Sequence, residues 1–530
     1  MKKSLLMTTT LVAAFSATNV CAEDWTISSK EIITGELISK DNVTVATGGD
    51  ITISGNNSGI ISNGNFTMED GSLTASSNGG SADTGVFVRG ENSSVTIKNG
   101  TINLTEARIA KGEEDTDTTG DVSISGGKIT LNNQAYIEMY DTNTGSVNLS
   151  GGELNINDNS GILLDGANDF TMTGGFLTAT SNGNSADTGV FVKGNGADVN
   201  IQGGDINLTD SRIYKGNDTA TTGDINISGG NITLNKNAYI EMRKENTGNV
   251  NMTGGKLVMN KNSGLLLNTN DDQGIDGNAI KLIVNGDDAT ITANGSNQIS
   301  GDIDFTKGTI TVANGASLTS GDIAMKSENA KIDLLGKLNT NVNGSGNLCF
   351  KNSAANVSGN VTGSNLTFDT DHSLSKAIGG TISNITALNV NKGTLTYDKD
   401  AGSIGNVSVA GGAGLDIGTN KLTATTVNFA DNSTLGLKIA SADNYGQINA
   451  NTINIGNDTT MKVTLDSGVV ANGETQSFDF LQGSVTGDFT NKIADNNRYD
   501  ISFEDGSFKI TGTASASDVV ADAGGSATNA

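Results

Sequence analysis

The chain carries the same set of ionisable residues twice. The first set is Asp83, Arg89, Arg108, Lys111 and Glu138, and the second is Asp187, Lys193, Arg212, Lys215 and Glu241. Carboxylates beside Arg and Lys on one exposed strand surface could cleave a polysaccharide, because such groups act as general acids and bases at a sugar linkage. These ten residues are therefore the candidate catalytic residues of the sequence.

The duplication argues against this chemistry. An active site is normally one asymmetric constellation, whereas a faithful copy favours surface ladders of stacked polar residues. The sequence accordingly predicts no catalytic residue, no cofactor-binding residue and no metal-binding residue. An enzyme that cleaves polysaccharides remains the alternative.

Other reactive side chains are scarce. The only histidine, His372, lies in the polar segment FDTDHSLSK and is expected in a loop, where it lacks the partners that a zinc or Cys–His site needs. Cys349, in GNLCFKN, is expected to be a small buried hydrophobic residue. The acidic segment 113–121 is expected to be a solvated turn, with weak calcium binding as the other interpretation.

The duplicated residues belong to a long internal repeat. The octapeptide SADTGVFV occurs at 81–88 and again at 185–192. The similarity continues on both sides of it, so that residues 71–90 match residues 175–194. The offset between the copies changes from 104 to 103 residues after a single deletion near 217–221. A block of about a hundred residues was therefore duplicated.

Each block contains four shorter units. A unit has a short strand such as SVTI, a glycine turn, a second strand such as TINL, and a third strand such as GVFV. The turn glycines are Gly71, Gly100, Gly127, Gly152, Gly175, Gly204, Gly230 and Gly255. Apolar residues alternate with polar ones, so one unit cannot bury its inner face alone, and stacking supplies the missing core.

This pattern predicts an all-β fold, a right-handed parallel β-helix of about 20 coils with N- and C-terminal caps. At about 4.8 Å between stacked strands, the rod would be on the order of 100 Å long. The expected segments are a signal peptide (1–22), an N-terminal cap (23–40), a regular β-helix with the duplication (41–267), a less regular β-helix (268–440), a C-terminal cap (441–512) and a small-residue tail (513–530).

The N-terminus and the composition predict export. Lys2 and Lys3 precede an apolar stretch, and Val20-Cys21-Ala22 fits a signal-peptide cleavage site after Ala22, with a lipoprotein anchored through Cys21 as the alternative. The mature chain would retain only Cys349, so no intramolecular disulfide would form. The formal charge of −26 makes nucleic acid an unsuitable partner, because a phosphate-binding surface needs clustered Lys and Arg.

The C-terminal segment adds a family resemblance. Residues 442–489 and 497–511, with Tyr445-Gly446, Gly473-Glu474-Thr475 and the strand from Tyr499, resemble the end of the passenger region of autotransporters, the type V secretion family of Gram-negative bacteria. The resemblance implies a pectin-lyase-like β-helix and a C-terminal cap that folds first outside the cell. In that family an outer-membrane β-barrel follows. The chain ends at Ala530 after a linker-like tail, so we expect truncation at the passenger–barrel boundary, with a stand-alone secreted β-helix as the alternative.

These inferences lead to one expected function. The protein would be a non-enzymatic, surface-exposed or secreted rod with an adhesive or structural role, contacting glycans or proteins of a host or cell surface. A β-helical polysaccharide lyase or glycoside hydrolase is the alternative function, and the periplasm is the alternative location. No cofactor is expected, and attachment to the outer membrane would require the barrel that this chain lacks.

Overall fold

The computed structural model describes residues 23–77, 83–113, 116–182, 187–217, 219–243, 245–269, 280–466, 469–470, 473–495, 499–504 and 507–512. The expected signal peptide (1–22) and tail (513–530) lie outside these residues. The described chain forms a right-handed parallel β-helix, as the sequence predicts. Each coil contributes one strand to each of three faces, and each face carries twenty strands in the described residues.

Alternation of apolar and polar residues builds the three faces, because successive side chains of a strand point to opposite sides. In the coil that begins at Val95, the side chains of Val95, Ile102 and Ile109 point inwards, one from each face, and are buried. The inward residues of all coils join into a single apolar core along the rod.

Faces 1 and 2 together form the longest sheet. Face 1 contains Trp25–Ile27, Val43–Val45, Phe66–Met68, Val95–Ile97, Val122–Ile124, Val147–Leu149, Phe170–Met172, Val199–Ile201, Ile225–Ile227, Val250–Met252, Ile323–Met325, Val342–Gly344, Val361–Thr362 and Ile382–Ser383. Face 2 contains Lys30–Thr34, Asp50–Ser54, Ser72–Ser76, Thr101–Thr105, Lys128–Asn132, Glu153–Asn157, Phe176–Thr180, Asp205–Thr209, Asn231–Asn235, Lys256–Met259, Ala330–Leu334, Asn347–Phe350, Asn365–Phe368 and Ala387–Val390. In six coils the two faces share one continuous strand: Leu282–Ala293, Ile303–Val312, Ser403–Val409, Lys421–Phe429, Gln447–Ile455 and Leu481–Thr486.

Face 3 consists of two parallel sheets in succession. The first contains Leu37–Lys40, Ser58–Ser62, Thr84–Val88, Arg108–Lys111, Tyr136–Met139, Gly161–Leu164, Gly189–Val192, Arg212–Lys215, Tyr239–Arg243, Gly264–Thr269, Ser296–Ile299, Ser317–Ser320, Lys337–Asn339 and Asn356–Val357. The second contains His372–Ser373, Thr394–Thr396, Gly414–Asp416, Thr434–Ser441, Thr460–Leu465 and Asn491–Ala494, and Asn444–Tyr445 pairs antiparallel with Thr434–Ser441. A helical turn, Leu374–Ala377, begins beside it with Ser373 as its N-cap.

Glycine forms the corner between faces 1 and 2 in the duplicated region. The eight turn glycines of the sequence all have positive φ, from +76° to +94°. This left-handed conformation is costly for any residue with a Cβ atom. The regular glycine spacing of the sequence is therefore the spacing of one corner of the coil.

A second corner, before face 1, is held by stacked Asp and Asn side chains. A carboxylate oxygen of Asp169 accepts a hydrogen bond from the backbone N–H of Asp198 at 2.7 Å, and Asp198 does the same for Asp224. Asp224 continues the series to the N–H of Asn249, also at 2.7 Å. Each side chain thus satisfies a backbone donor in the next coil and fixes the register of the stack.

The two ends of the rod differ. The segment 23–40, expected as an N-terminal cap, is itself the first coil, and its three strands pair in parallel with the second coil. The segment expected as the C-terminal cap contains the last coils and a three-stranded antiparallel sheet of Thr475–Phe478, Tyr499–Glu504 and Ser507–Gly512. Buried Phe480 and Phe508 rings, with centroids 4.8 Å apart, pack between this sheet and the coils.

Candidate functional site

Most of the duplicated ionisable residues lie on or beside the outer surface of face 3, whereas Lys111 and Lys215 point into the core. Parallel pairing aligns Gly85, Arg108, Tyr136 and Gly161 in one column along the rod. The column continues through Gly189, Arg212, Tyr239 and Gly264. The same four residue types therefore recur after four coils. We call the two sets copy 1 (Gly85, Arg108, Tyr136, Glu138, Gly161) and copy 2 (Gly189, Arg212, Tyr239, Glu241, Gly264).

Each copy contains one Arg–Glu ion pair that is largely withdrawn from solvent. Arg108 donates a hydrogen bond from Nη1 to Glu138, and the two side chains are 13% and 10% exposed. Arg212 donates in the same way to Glu241, with side chains 16% and 8% exposed. Burial raises the pKa of Glu138, and the Arg108 guanidinium opposes that rise. The pairs hold planar charged groups in fixed orientations on the outer sheet surface.

The glycines of each copy are required by the close approach of neighbouring backbones. Gly85 and Gly189 have φ of +134° and +135°. A Cβ atom on either would lie within 2 Å of the carbonyl oxygen of the Arg in the next coil. At Gly161 the missing side chain leaves room for the Phe191 ring of the next coil, which passes 3.1 Å from the Cβ position.

Aromatic rings border the ion pairs. Tyr136 is half-buried and donates a hydrogen bond from its hydroxyl to the carbonyl oxygen of Asn159 at 2.9 Å. Burial, with a further contribution from Asp187, raises the pKa of Tyr136. Tyr239 in copy 2 is also half-buried, and burial raises its pKa too. Each copy therefore presents a phenol ring next to an Arg–Glu pair.

The remaining predicted residues lie around this surface. Arg89 pairs with Glu113 at 3.4 Å, and Lys193 pairs with Asp165 at 3.3 Å. Asp83 and Asp187 are exposed and lie just before Thr84–Val88 and Gly189–Val192. Lys193 and Asp165 also act electrostatically on Glu138.

Lys111 and Lys215 correct the expectation of an outward polar ladder. Both side chains occupy inward positions of face 3 and are fully buried. Lys111 points inwards because it follows the outward residue Ala110 and aligns with the core residue Val88 of the preceding coil. Lys111 donates to the carbonyl of Gly90 at 3.4 Å, and Lys215 donates to that of Gly194 at 3.0 Å. Burial lowers the pKa of each amine to about 8.

The only histidine is also differently placed from its prediction. His372 starts a two-residue strand of face 3 and is buried, instead of lying in a loop. Its Nδ1 accepts from the N–H of Ser373 at 2.9 Å, and its Nε2 lies 2.8 Å from the carbonyl oxygen of Ala355. A shallow cleft of about 330 Å³ beside it is lined by Ser373 and Lys376. Both ring nitrogens are engaged by backbone, so His372 has a packing role.

Cys349 is buried on Asn347–Phe350, as the sequence predicts, and burial raises the pKa of its thiol to about 11. Glu114 and Asp115 of the acidic segment 113–121 lie outside the described residues. Among the described residues, no three His, Cys, Asp or Glu side chains lie close enough together to hold a metal ion. None of the described helices is long and apolar enough to cross a membrane.

Comparison with known proteins gives no family. No protein-family model matches the sequence, and no curated protein matches it.

Sequence reasoning missed the tyrosines and glycines that complete each copy. Tyr136 lies 28 residues from Arg108, and only the register of stacked coils brings the two side chains together. The signal was present in the repeat: Gly85, Arg108 and Tyr136 recur as Gly189, Arg212 and Tyr239. Aligning third strands by coil would have found the column.

Proposed function

We propose that the protein is a non-enzymatic, exported β-helical rod with an adhesive and structural role, displayed at the cell surface or secreted. The observation that carries this proposal is the repetition of one outer surface, copy 1 and copy 2, on a single continuous rod. The two sites are similar but not identical, because Tyr214 stands beside Glu241 where Ala110 stands beside Glu138. Two similar sites suit repeated contacts with a partner, whereas catalysis needs one site with distinct groups. In each copy the Arg forms an ion pair with a single carboxylate, that of Glu138 or Glu241.

We further propose that the chain is a passenger of the autotransporter type. The antiparallel sheet of the C-terminal cap supports this. It covers the end of the core with the buried side chains of Phe478 and Phe508, and buried Phe480 stacks on Phe478. Tyr445 packs on Phe478 at 5.2 Å between ring centroids. Such a cap would fold without the upstream coils and would give the rest of the chain a template on which to stack.

Protease treatment of intact cells that express the chain from its own gene tests export. We expect loss of the protein from intact cells, while a periplasmic marker survives. Survival of both would contradict surface display and favour the periplasm.

Incubation of the purified protein with a broad panel of polysaccharides tests the absence of turnover. We expect no new reducing ends and no unsaturated sugars. Release of either, abolished by Glu138→Gln and Glu241→Gln together, would replace the proposal with a polysaccharide lyase or glycoside hydrolase.

A further inference from the structure

The two copies are related by translation along the rod. Arg108 and Arg212 are four coils apart in one column of face 3. With about 4.8 Å between stacked strands, the two guanidinium groups are about 19 Å apart along the axis. A partner that engages both copies in the same way must itself repeat by translation over that distance. A linear polymer has this property, and a folded globular partner does not.

Charge restricts the kind of polymer. Within each copy the Arg and the Glu are bonded to each other, so the surface offers donors and acceptors without a strong net charge. The chain as a whole carries a formal charge of −26, which repels polyanions at long range. A neutral polymer fits both observations.

The side chains restrict the chemistry further. Tyr136 and Tyr239 are half-buried on the outer surface, and the Phe191 ring, also half-buried, covers Gly161 between the two copies. Aromatic rings pack against the C–H faces of sugars, and fixed guanidinium and carboxylate groups bond to sugar hydroxyls. Tyr and Arg are also the residues that most often dominate binding energy at interfaces.

We propose that copy 1 and copy 2 together bind one neutral linear polysaccharide that lies along the outer surface of face 3. This inference rests on the proposed function, since it names the partner class of a non-enzymatic rod. Each copy alone binds a short oligosaccharide weakly. A chain long enough to reach both copies binds more tightly, because the second contact becomes intramolecular.

Calorimetric titration of the full chain with cello-, xylo-, chito- and malto-oligosaccharides, from disaccharides to dodecasaccharides, tests the proposal. We expect one series to bind, with an affinity that rises about 100-fold once the oligosaccharide spans about 19 Å. Binding of no series would overturn the inference, and so would an affinity independent of chain length. Either result leaves the proposed function intact, because the proposed function is refuted only if the protein cleaves a polysaccharide or is absent from the cell surface.

A charge swap in copy 2, Arg212→Glu with Glu241→Arg, tests the residues. It keeps an ion pair on the same two strands, and we expect the length-dependent gain in affinity to disappear. If the swap lowers the unfolding midpoint, Arg212→Lys keeps the charge, loses the planar donor set, and is expected to lower the affinity for long chains about tenfold.

The matched control is the exposed pair of face 2, Lys128→Glu with Glu153→Lys, which should leave binding unchanged. Unchanged affinity for long chains in both copy 2 variants would overturn the assignment. Binding of a repetitive fibrous peptide in place of every sugar, lost in the same variants, would overturn the polysaccharide class.

Discussion

Two regions of the rod share one core but differ in the number of residues in each coil. From Phe66 to Val250, face 1 strands follow at intervals of 23 to 29 residues, whereas from Leu282 to Ile382 the intervals are 19 to 21. The strands and inward residues are alike, so the additional residues lie in the connections that border face 3. Between faces 3 and 1 these connections reach ten residues at 112–121 but only two at 321–322.

The difference in coil length separates the residues that build the core from those that do not. A coil of about 20 residues suffices to bury its core, so the longer coils carry residues that stacking does not require. Those coils also carry the duplicated Arg–Glu pairs. We therefore interpret residues 58–269 as the contact region and residues 280–409 as a spacer.

The largest contrast should come from glycine. Gly189→Ala would bring a Cβ atom to 1.8 Å from the carbonyl oxygen of Arg212 at a φ of +135°. We expect a loss of about 4 kcal/mol or more in the free energy of unfolding around that coil. In the spacer, Gly315→Ala meets no atom within 4 Å, so only its φ of +75° costs energy, about 1 to 2 kcal/mol. Urea unfolding of the two variants measures both losses in the free energy of unfolding, and hydrogen exchange of Gly189–Val192 follows the coil around Gly189. Equal losses in the two variants would refute the contrast.

The next effect separates the largely buried ion pairs of face 3 from exposed ion pairs. Glu138→Ala leaves Arg108 without its carboxylate in a site 13% exposed, so we expect a loss of about 3 kcal/mol. Glu153→Ala breaks the ion pair with Lys128, in which the Lys128 and Glu153 side chains are 54% and 45% exposed. This variant should leave the unfolding midpoint unchanged within experimental error. Thermal unfolding of both variants tests this, and similar midpoints would show that the pairs of face 3 are ordinary surface contacts.

A smaller effect of opposite sign is expected at the buried lysines. Their folded-state pKa of about 8 lies below the usual value of 10.5, so the unfolded chain binds more protons between these pH values. Stability should therefore rise as pH increases from about 8 to 10.5. Lys111→Met should gain about 2 kcal/mol at pH 7, because the methionine resembles the adjacent Met139, and should weaken this pH dependence. A loss of stability at pH 7 would show that the amine is needed.

The smallest effect concerns the thiol of the spacer. Cys349 is buried, and burial raises its pKa to about 11, so a maleimide should not label Cys349 in the folded protein at pH 8. Labelling should proceed in urea. Rapid labelling without urea would show that the coils around Asn347–Phe350 open readily.

Much of this architecture was predictable because its determinants are local. Corner glycines such as Gly127 recur at coil intervals, and strand alternation gives the inward faces directly. The error at Lys111 was also local: in Arg108-Ile109-Ala110-Lys111 the inward Ile109 requires an inward Lys111, but a charged residue was assumed to point outwards. The Arg108–Glu138 pair was not predictable, since it depends on the register between Arg108–Lys111 and Tyr136–Met139 in successive coils.

A single deletion removes copy 1 and leaves copy 2 in place. Removal of residues 85–188 joins Thr84 to Gly189, which restores SADTGVFV without a scar because Asp83-Thr84 and Asp187-Thr188 are identical. We expect a folded rod shorter by four coils that binds short oligosaccharides as before but loses the roughly 100-fold gain for long chains. An unchanged affinity for long chains would refute binding across two copies, because a single copy would then suffice.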